Sequence, residues 1–276
     1  MCLSGGDAIR LERCGMIGAP AQWLLLDVPG APHTSAVLQK KLARARSFKL
    51  FEGTELHALR NEGPVLVDLR SCPALAESCV SQAQVWRGLL MVSDVSAGQL
   101  IEHLQRMLTV TVGLHHRALL SYYNPNTASY FFDACDPMEL SRWLGPIKRL
   151  QWFGGTWADR AIGSEGWQQL INPGLMVETL VVEADLSQRQ REKLQTCLLE
   201  HHAWLWSQST EVDYNSLWHH LQEGLALGFS ERPSLDGWLW LRLQFPHGSL
   251  RQPLTGGTQQ ERLNNLRIRW HNDQSQ

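Results

Sequence analysis

The sequence predicts an α+β protein: an N-terminal mixed α/β lobe with a mainly antiparallel sheet and flanking helices, followed by a mainly helical C-terminal lobe. Two observations support this prediction. Up to about residue 180, short apolar runs of strand length end at Gly or Pro and alternate with capped helices. Beyond that point, apolar residues recur at helical spacing over long stretches. We therefore predict a loose N-terminal arm over residues 1–20, an α/β lobe over 21–180 and a helical lobe over 181–276.

Four apolar runs in the first lobe have the length and the boundaries of buried strands. They cover residues 22–28, 48–53, 64–69 and 86–92. The basic stretch 35–47 carries Val37, Leu38 and Leu42 among its charges, and this pattern predicts an amphipathic helix.

The clearest signals for secondary structure lie over residues 86–152. Ser96 followed by Gln99 is a capping box, which predicts a helix over residues 96–108. Two strands are predicted to follow as a hairpin, over residues 109–114 and 117–123.

A turn and a second capped helix complete this stretch. Asn124-Pro125-Asn126 has the composition of a turn. Asp136, with Pro137 at the first helical position and Glu139 at the third, predicts a helix that ends at Gly145.

The remaining chain is mostly helical in pattern. Residues 148–173 give no clear assignment, and residues 175–183 predict either a strand or a crossover. Helices are predicted over residues 186–206, 213–227 and 258–270. Residues 235–245 alternate like a strand, although a helix also fits.

Composition narrows the class of protein. The 276 residues are 43% apolar and 19% charged with a net charge of −2, which indicates a soluble globular protein and makes neither nucleic acid nor an acidic membrane an obvious partner. The six cysteines form no C-x-x-C motif and are predicted to be free thiols in a reducing compartment. No signal peptide and no membrane-spanning run is evident, so we expect a cytoplasmic protein.

Catalytic signatures are not apparent in the sequence. Three His-His pairs, at 115–116, 201–202 and 219–220, raise the possibility of a metal site, but adjacent helical residues diverge by about 100° and no H-E-x-x-H motif is present. His201 lies on an apolar stripe and is predicted to be a hydrogen-bonded core histidine. No nucleophile motif or phosphate-binding glycine loop is found. We predict no catalytic, cofactor-binding or metal-binding residue, and no enzymatic activity.

Tryptophan is the unusual component of the sequence. Twelve are present, which is a high number; several are expected in the core, and an excess beyond these favours a protein–protein surface. We predict that the partner-binding residues are Trp204, Trp206, Trp218, Trp238 and Trp240. Trp238 and Trp240 would share a face if their segment is a strand. The alternative for each of the five is packing in the core.

Four segments together resemble the type VI secretion adaptor family, whose members are also called effector chaperones. They are residues 22–29 (Q-W-L-L-L-D-V-P), 50–69 (L-F-E-G-T-E-L … G-P-V-L-V-D-L), 86–112 (W-R-G-L-L-M-V-S … L-T-V-T-V) and 120–146 (L-S-Y-Y-N-P … L-G-P). Their order and spacing match over about residues 20–150. That family usually has Asp-Pro-Arg where this chain has Asn124-Pro125-Asn126, so the turn chemistry is kept and the charge pair is absent.

The resemblance implies a bacterial cytoplasmic protein that binds one toxin effector and loads it onto the spike protein VgrG, with a PAAR-bearing tip or a co-chaperone as a further partner. It implies no cofactor and supplies no catalytic residue. Two alternatives stay open: an immunity-type protein that neutralises a toxin, and a histidine-dependent metalloenzyme.

Overall fold

The computed structural model describes residues 12–13, 20–28, 40, 42–112, 116–250 and 254–274. It confirms the predicted α+β class, with an antiparallel sheet and helices in the N-terminal part and a helical C-terminal region. The chain forms two compact units that divide between Cys197 and Leu198. The predicted domain limits stay a prediction, because compactness alone does not establish which segments fold independently, and the predicted N-terminal arm lies almost wholly outside the described residues.

Ten strands are present among the described residues, all in the first unit. They are β1 (Glu12–Arg13), β2 (Trp23–Leu26), β3 (Arg46–Lys49), β4 (Val65–Asp68), β5 (Gly88–Ser93), β6 (Thr109–Val112), β7 (His116–Leu119), β8 (Ile147–Gly154), β9 (Gly166–Ile171) and β10 (Ala184–Asp185). Seven form an antiparallel sheet in the order β1-β9-β8-β5-β2-β4-β3. The other three form a small sheet in which β6 pairs antiparallel with β7 and parallel with β10.

The central strand β2 explains why the first apolar run is continuous rather than alternating. Trp23 and Leu25 belong to one core cluster, and Leu24 and Leu26 belong to a second cluster on the opposite face. Both faces of the sheet are therefore covered, and every side chain of β2 is buried.

Five α-helices whose bounds the structure describes lie wholly within the first unit. They are α1 (Pro73–Ser81), α2 (Ala97–Arg106), α3 (Pro125–Phe131), α4 (Pro137–Leu144) and α5 (Trp157–Ala161). The capping boxes predicted at the starts of α2 and α4 are both formed. At the end of α4, Gly145 takes a positive φ of 50°, and a Cβ there would lie 2.4 Å from the ring of His103. Glycine is therefore required at this position.

The structure corrects two sequence-based assignments in the first unit and describes two stretches that the sequence left open. The residues predicted as a turn, Asn124-Pro125-Asn126, instead begin α3, with Asn124 as its cap. The first part of the helix predicted over 35–47 lies outside the described residues (35–39 and 41), and its end is wrong because Ser47 lies in β3. The unassigned stretch 148–173 contains β8, α5 and β9, and residues 175–183 have no regular structure.

The second unit is helical. α6 (Gln188–Ser209) begins in the first unit and ends in the second, which continues with α7 (Tyr214–Ala226), α8 (Arg232–Gln244) and α9 (Gln259–Gln274). The strand-like segment 235–245 is thus almost entirely within helix α8. α7 and α8 approach closely at Gly224, where a Cβ would lie 2.5 Å from Cδ1 of Trp238.

A buried ion pair lies in the core of the helical unit. The guanidinium of Arg242 lies 4.9 Å from the ring centroids of both Trp238 and Trp270 and forms a two-point ion pair with Glu223. It also donates to the carbonyl of Gly248 at 2.9 Å. Because Arg242 is almost fully buried, the carboxylate of Glu223 is what makes its charge tolerable there.

Two further predictions concern the state of the cysteines and the presence of membrane-spanning helices. The four cysteines in the described part of the chain, Cys72, Cys79, Cys135 and Cys197, are free thiols, as predicted. Burial raises the pKa of the Cys135 thiol to about 12. None of the helices within the described ranges is both long enough and apolar enough to cross a bilayer.

Candidate partner-binding surface

The five tryptophans predicted to bind a partner lie on three helices of the second unit and differ sharply in exposure. Trp238 is fully buried at 0% and Trp240 is 55% exposed, although they are two residues apart on α8. Trp204 and Trp206 on α6 and Trp218 on α7 are half-buried. The shared face expected for Trp238 and Trp240 in a strand is absent, because positions i and i+2 of a helix point about 200° apart.

Trp238 serves the core rather than the surface. Its ring stacks on Phe229 at 5.6 Å between centroids and contacts Trp270 at 6.0 Å. Its indole N–H donates to the carbonyl of His220 at 2.6 Å. This ring is therefore not available to a partner.

Trp206 joins two helices through its polar atom. Its indole N–H donates to Oδ1 of Asp236 at 2.9 Å, and Nε2 of His202 lies 3.1 Å from the same oxygen. Asp236 on α8 therefore holds two side chains of α6. The ring of Trp204 stacks on the ring of His201, three residues earlier on α6, with 6.0 Å between the ring centroids.

The prediction for His201 is corrected by the structure. His202 is the buried member of its pair and His201 is only half-buried, so the assignment of His201 to the core is wrong. Burial lowers the pKa of both His202 and His220. Over the residues that can be described, no group of three or more His, Cys, Asp or Glu side chains is placed to hold a metal ion.

Trp240 borders a surface groove of about 290 Å³ between α8 and α9. Each helix contributes four residues to it at positions i, i+3, i+4 and i+7. They are Gly237, Trp240, Leu241 and Gln244 from α8, and Gln260, Leu263, Asn264 and Arg267 from α9. Leu241 and Leu263 are buried and form an apolar floor, while the amides and Arg267 form a polar rim. We call this feature the α8/α9 groove.

The surface beside the groove is also apolar. Ile268 is 59% exposed and lies one helical turn after Asn264, a groove residue. Tryptophan is among the residue types that most often anchor protein interfaces, and an exposed isoleucine beside it enlarges the apolar surface. The sequence analysis identified Trp240 as a partner-binding residue but did not identify the groove residues of α9. Of the four residues that α9 contributes, only Leu263 is apolar.

A buried polar cluster in the first unit surrounds the Asn124-Pro125-Asn126 motif. Oδ1 of Asn124 accepts hydrogen bonds from the amides of Asn126 and Thr127 at 2.9 and 3.3 Å and so caps α3. Its Nδ2 donates to the buried carboxylate of Asp27 at 2.8 Å. An aspartate at 124 could cap the helix equally well, but it would place two carboxylates against each other.

Asn126 is fully buried and joins three segments of the first unit. Its Nδ2 donates to the carbonyl of Gly155 at 2.9 Å, and its Oδ1 accepts from the guanidinium of Arg87 at 2.6 Å and of Arg160 at 3.5 Å. Arg160 lies in α5 and Arg87 directly precedes β5, so both positive charges beside Asn126 come from residues that are distant from it in sequence. The cluster is an internal structural link.

Another cavity, of about 500 Å³, lies in the first unit beside α2, α4 and residues 172–180. His103 borders it and is itself almost fully buried, with its Nε2–H donating to the carbonyl of Trp143 at 3.0 Å. Burial lowers the pKa of His103, so its neutral form is favoured in the fold. Its contacts with Trp143 and Gly145 give it a packing role.

The comparison with known proteins adds one finding on the first unit. A family model described as a domain of unknown function (DUF4123) matches residues 22–142, less than half of the chain. Along the chain the match runs from β2 to the last turn of α4 and includes the Asn124-Pro125-Asn126 motif, while β8 and β9 lie outside it. Neither a curated protein nor a solved structure matches this chain.

Proposed function

We propose that this protein is an adaptor of a bacterial type VI secretion system, which binds one toxin effector in the cytoplasm and loads it onto the VgrG spike, with a PAAR-bearing tip or a co-chaperone as an additional partner. The observation that carries this proposal is the match of residues 22–142 to the domain family, over the same residues whose motifs resemble the effector adaptors.

The proposed role is binding, not catalysis. An adaptor has to recognise one client, keep it and then release it into a larger assembly. Aromatic anchors provide affinity in such interfaces, while polar rims provide selectivity and limit the affinity. The α8/α9 groove has both components, with Trp240 beside the apolar floor and amides around it.

The two units suggest a division of labour. The first unit carries the segment that matches the family, and its polar residues around Asn126 are used internally. The second unit carries the exposed aromatic residue Trp240. We propose that client selection depends on the second unit, which lies wholly outside the family match.

Co-expression tests the proposal directly. The full-length chain and the toxin encoded by a neighbouring gene are expected to co-purify, and deletion of the adaptor gene is expected to abolish secretion of that toxin without harming the producing cell. Secretion that persists in the deletion strain would contradict the proposal. Death of the deletion strain, rescued by an inactive toxin, would indicate an immunity protein instead.

A further inference from the structure

We infer that the α8/α9 groove binds a single amphipathic helix of the toxin effector, which places a bulky apolar side chain beside Trp240 and a carboxylate at Arg267. This inference rests on the proposed adaptor function and specifies the chemistry of the segment that the adaptor recognises.

The shape of the groove favours a helix as the occupant. Both walls are helical stripes with the spacing i, i+3, i+4 and i+7, so the groove runs between two helices as a furrow between two ridges. A third helix fits such a furrow by placing its own ridge of side chains into it. A volume of about 290 Å³ is at the lower limit for a small-molecule site and suits a few side chains of a peptide.

The floor of the groove calls for an apolar side chain. At Gly237 a Cβ would lie 3.1 Å from Cδ1 of Leu263, so α8 and α9 approach closely there and the opening of the groove has the two buried leucines as its floor. Trp240 forms one side of this opening and remains more than half exposed. An aliphatic or aromatic residue of the partner would cover the ring of Trp240 and remove its apolar surface from water.

The rim calls for a negative charge. Arg267 is the single charged residue among the described residues that line the groove, and it forms no ion pair in the described part of the chain. The two carboxylates that directly neighbour groove-lining residues in the sequence already have partners: Glu261 accepts from the amides of Gly257 and Thr258, and Asp236 accepts from the indole N–H of Trp206. The groove therefore presents an uncompensated positive charge, which is complementary to an acidic partner residue.

The test uses the full-length chain and the neighbouring toxin, with the dissociation constant measured on purified proteins. Trp240→Ala is expected to weaken binding more than about tenfold, and Arg267→Glu about fivefold or more. Leu198→Ala, which removes an apolar side chain that is 70% exposed in the same unit, and Arg232→Glu, outside the groove, are matched controls expected to change binding less than about twofold. Urea unfolding of every variant verifies that the fold is retained.

Hydrogen exchange on the complex identifies the bound segment. Protection is expected in α8 and α9 and in one helical segment of the toxin that contains acidic residues. A lysine in place of one of those acidic residues is expected to restore at least half of the binding energy lost in Arg267→Glu, which a purely structural role of Arg267 would not allow.

The possible failures are distinguishable. If the unaltered chain does not bind the toxin, the proposed function fails. If it binds and the Trp240 and Arg267 variants bind equally well, the groove inference alone is overturned. It is also overturned if light scattering shows that the chain dimerises and Trp240→Ala makes it monomeric, because the groove would then be occupied by a second copy.

Discussion

Two tryptophans on one helix provide a direct test of how the helical unit divides its residues between stability and binding. In Trp238→Ala, a ring that is fully buried is lost together with its hydrogen bond to the carbonyl of His220. A tryptophan buries about 150–250 Å², which at about 25 cal/mol per Å² corresponds to about 4–6 kcal/mol. The partial collapse of the surroundings into the cavity and the better helix propensity of alanine reduce the expected loss to about 3–5 kcal/mol.

Trp240→Ala removes a ring that is already 55% exposed. Less than half of the same area is involved, so the expected loss of stability is about 2–3 kcal/mol by the same arithmetic, before the gain in helix propensity. The gain in helix propensity is the same in both variants and cancels in the comparison. Trp238→Ala is therefore expected to be less stable than Trp240→Ala by at least about 2 kcal/mol.

Urea unfolding followed by far-ultraviolet circular dichroism measures this difference, because helix loss in the second unit dominates the signal change of these variants. Limited proteolysis of residues 198–276 gives an independent measure of opening in this unit. Equal destabilisation by the two substitutions would refute the reasoning, since it would mean that Trp240 is packed as deeply as Trp238.

Three further predictions follow from the buried polar groups. Glu223→Ala leaves the charge of Arg242 buried without its carboxylate and is expected to cost about 3–5 kcal/mol in urea unfolding, most of which the double variant with Arg242→Met should recover. Asn124→Asp is expected to cost about 1–3 kcal/mol at neutral pH, because the new carboxylate faces that of Asp27; an unchanged melting temperature would contradict the observed pairing. Burial lowers the pKa of His103, so as the pH falls below about 6.5 the histidine is protonated in the unfolded state before it is protonated in the folded state. The free energy of unfolding should therefore decrease on acidification by up to about 1.4 kcal/mol per pH unit. His103→Gln should flatten that slope in unfolding experiments between about pH 7.5 and 5.5.

Local signals were the reliable part of the sequence analysis. The helix starts at Ser96 and Asp136 were predicted because capping requires only four consecutive residues and their own hydrogen bonds. Thr156 and Asp159 form a third capping box by the same local hydrogen bonds. It was not predicted, because the tryptophan-rich sequence around it gave no clear assignment. The Asn124 motif was misassigned because an asparagine followed by proline begins a turn and a helix equally well.

Contacts between distant segments decided the rest. Asn126 looked like one residue of a turn, yet it is buried because Arg87 and Arg160, far away in sequence, converge on its side chain. The segment 235–245 alternates like a strand, and only its packing as a helix against Trp270 separates a buried Trp238 from an exposed Trp240.

The sequence by itself determined the α+β class, the sites where helices begin and the candidate set of aromatic anchors, because periodicity and capping act within a few residues along the chain. The tertiary structure alone decided which anchors are exposed. A residue such as Trp240 becomes available to a partner only through the placement of a second helix, here α9, and that placement depends on the packing of the whole helical unit.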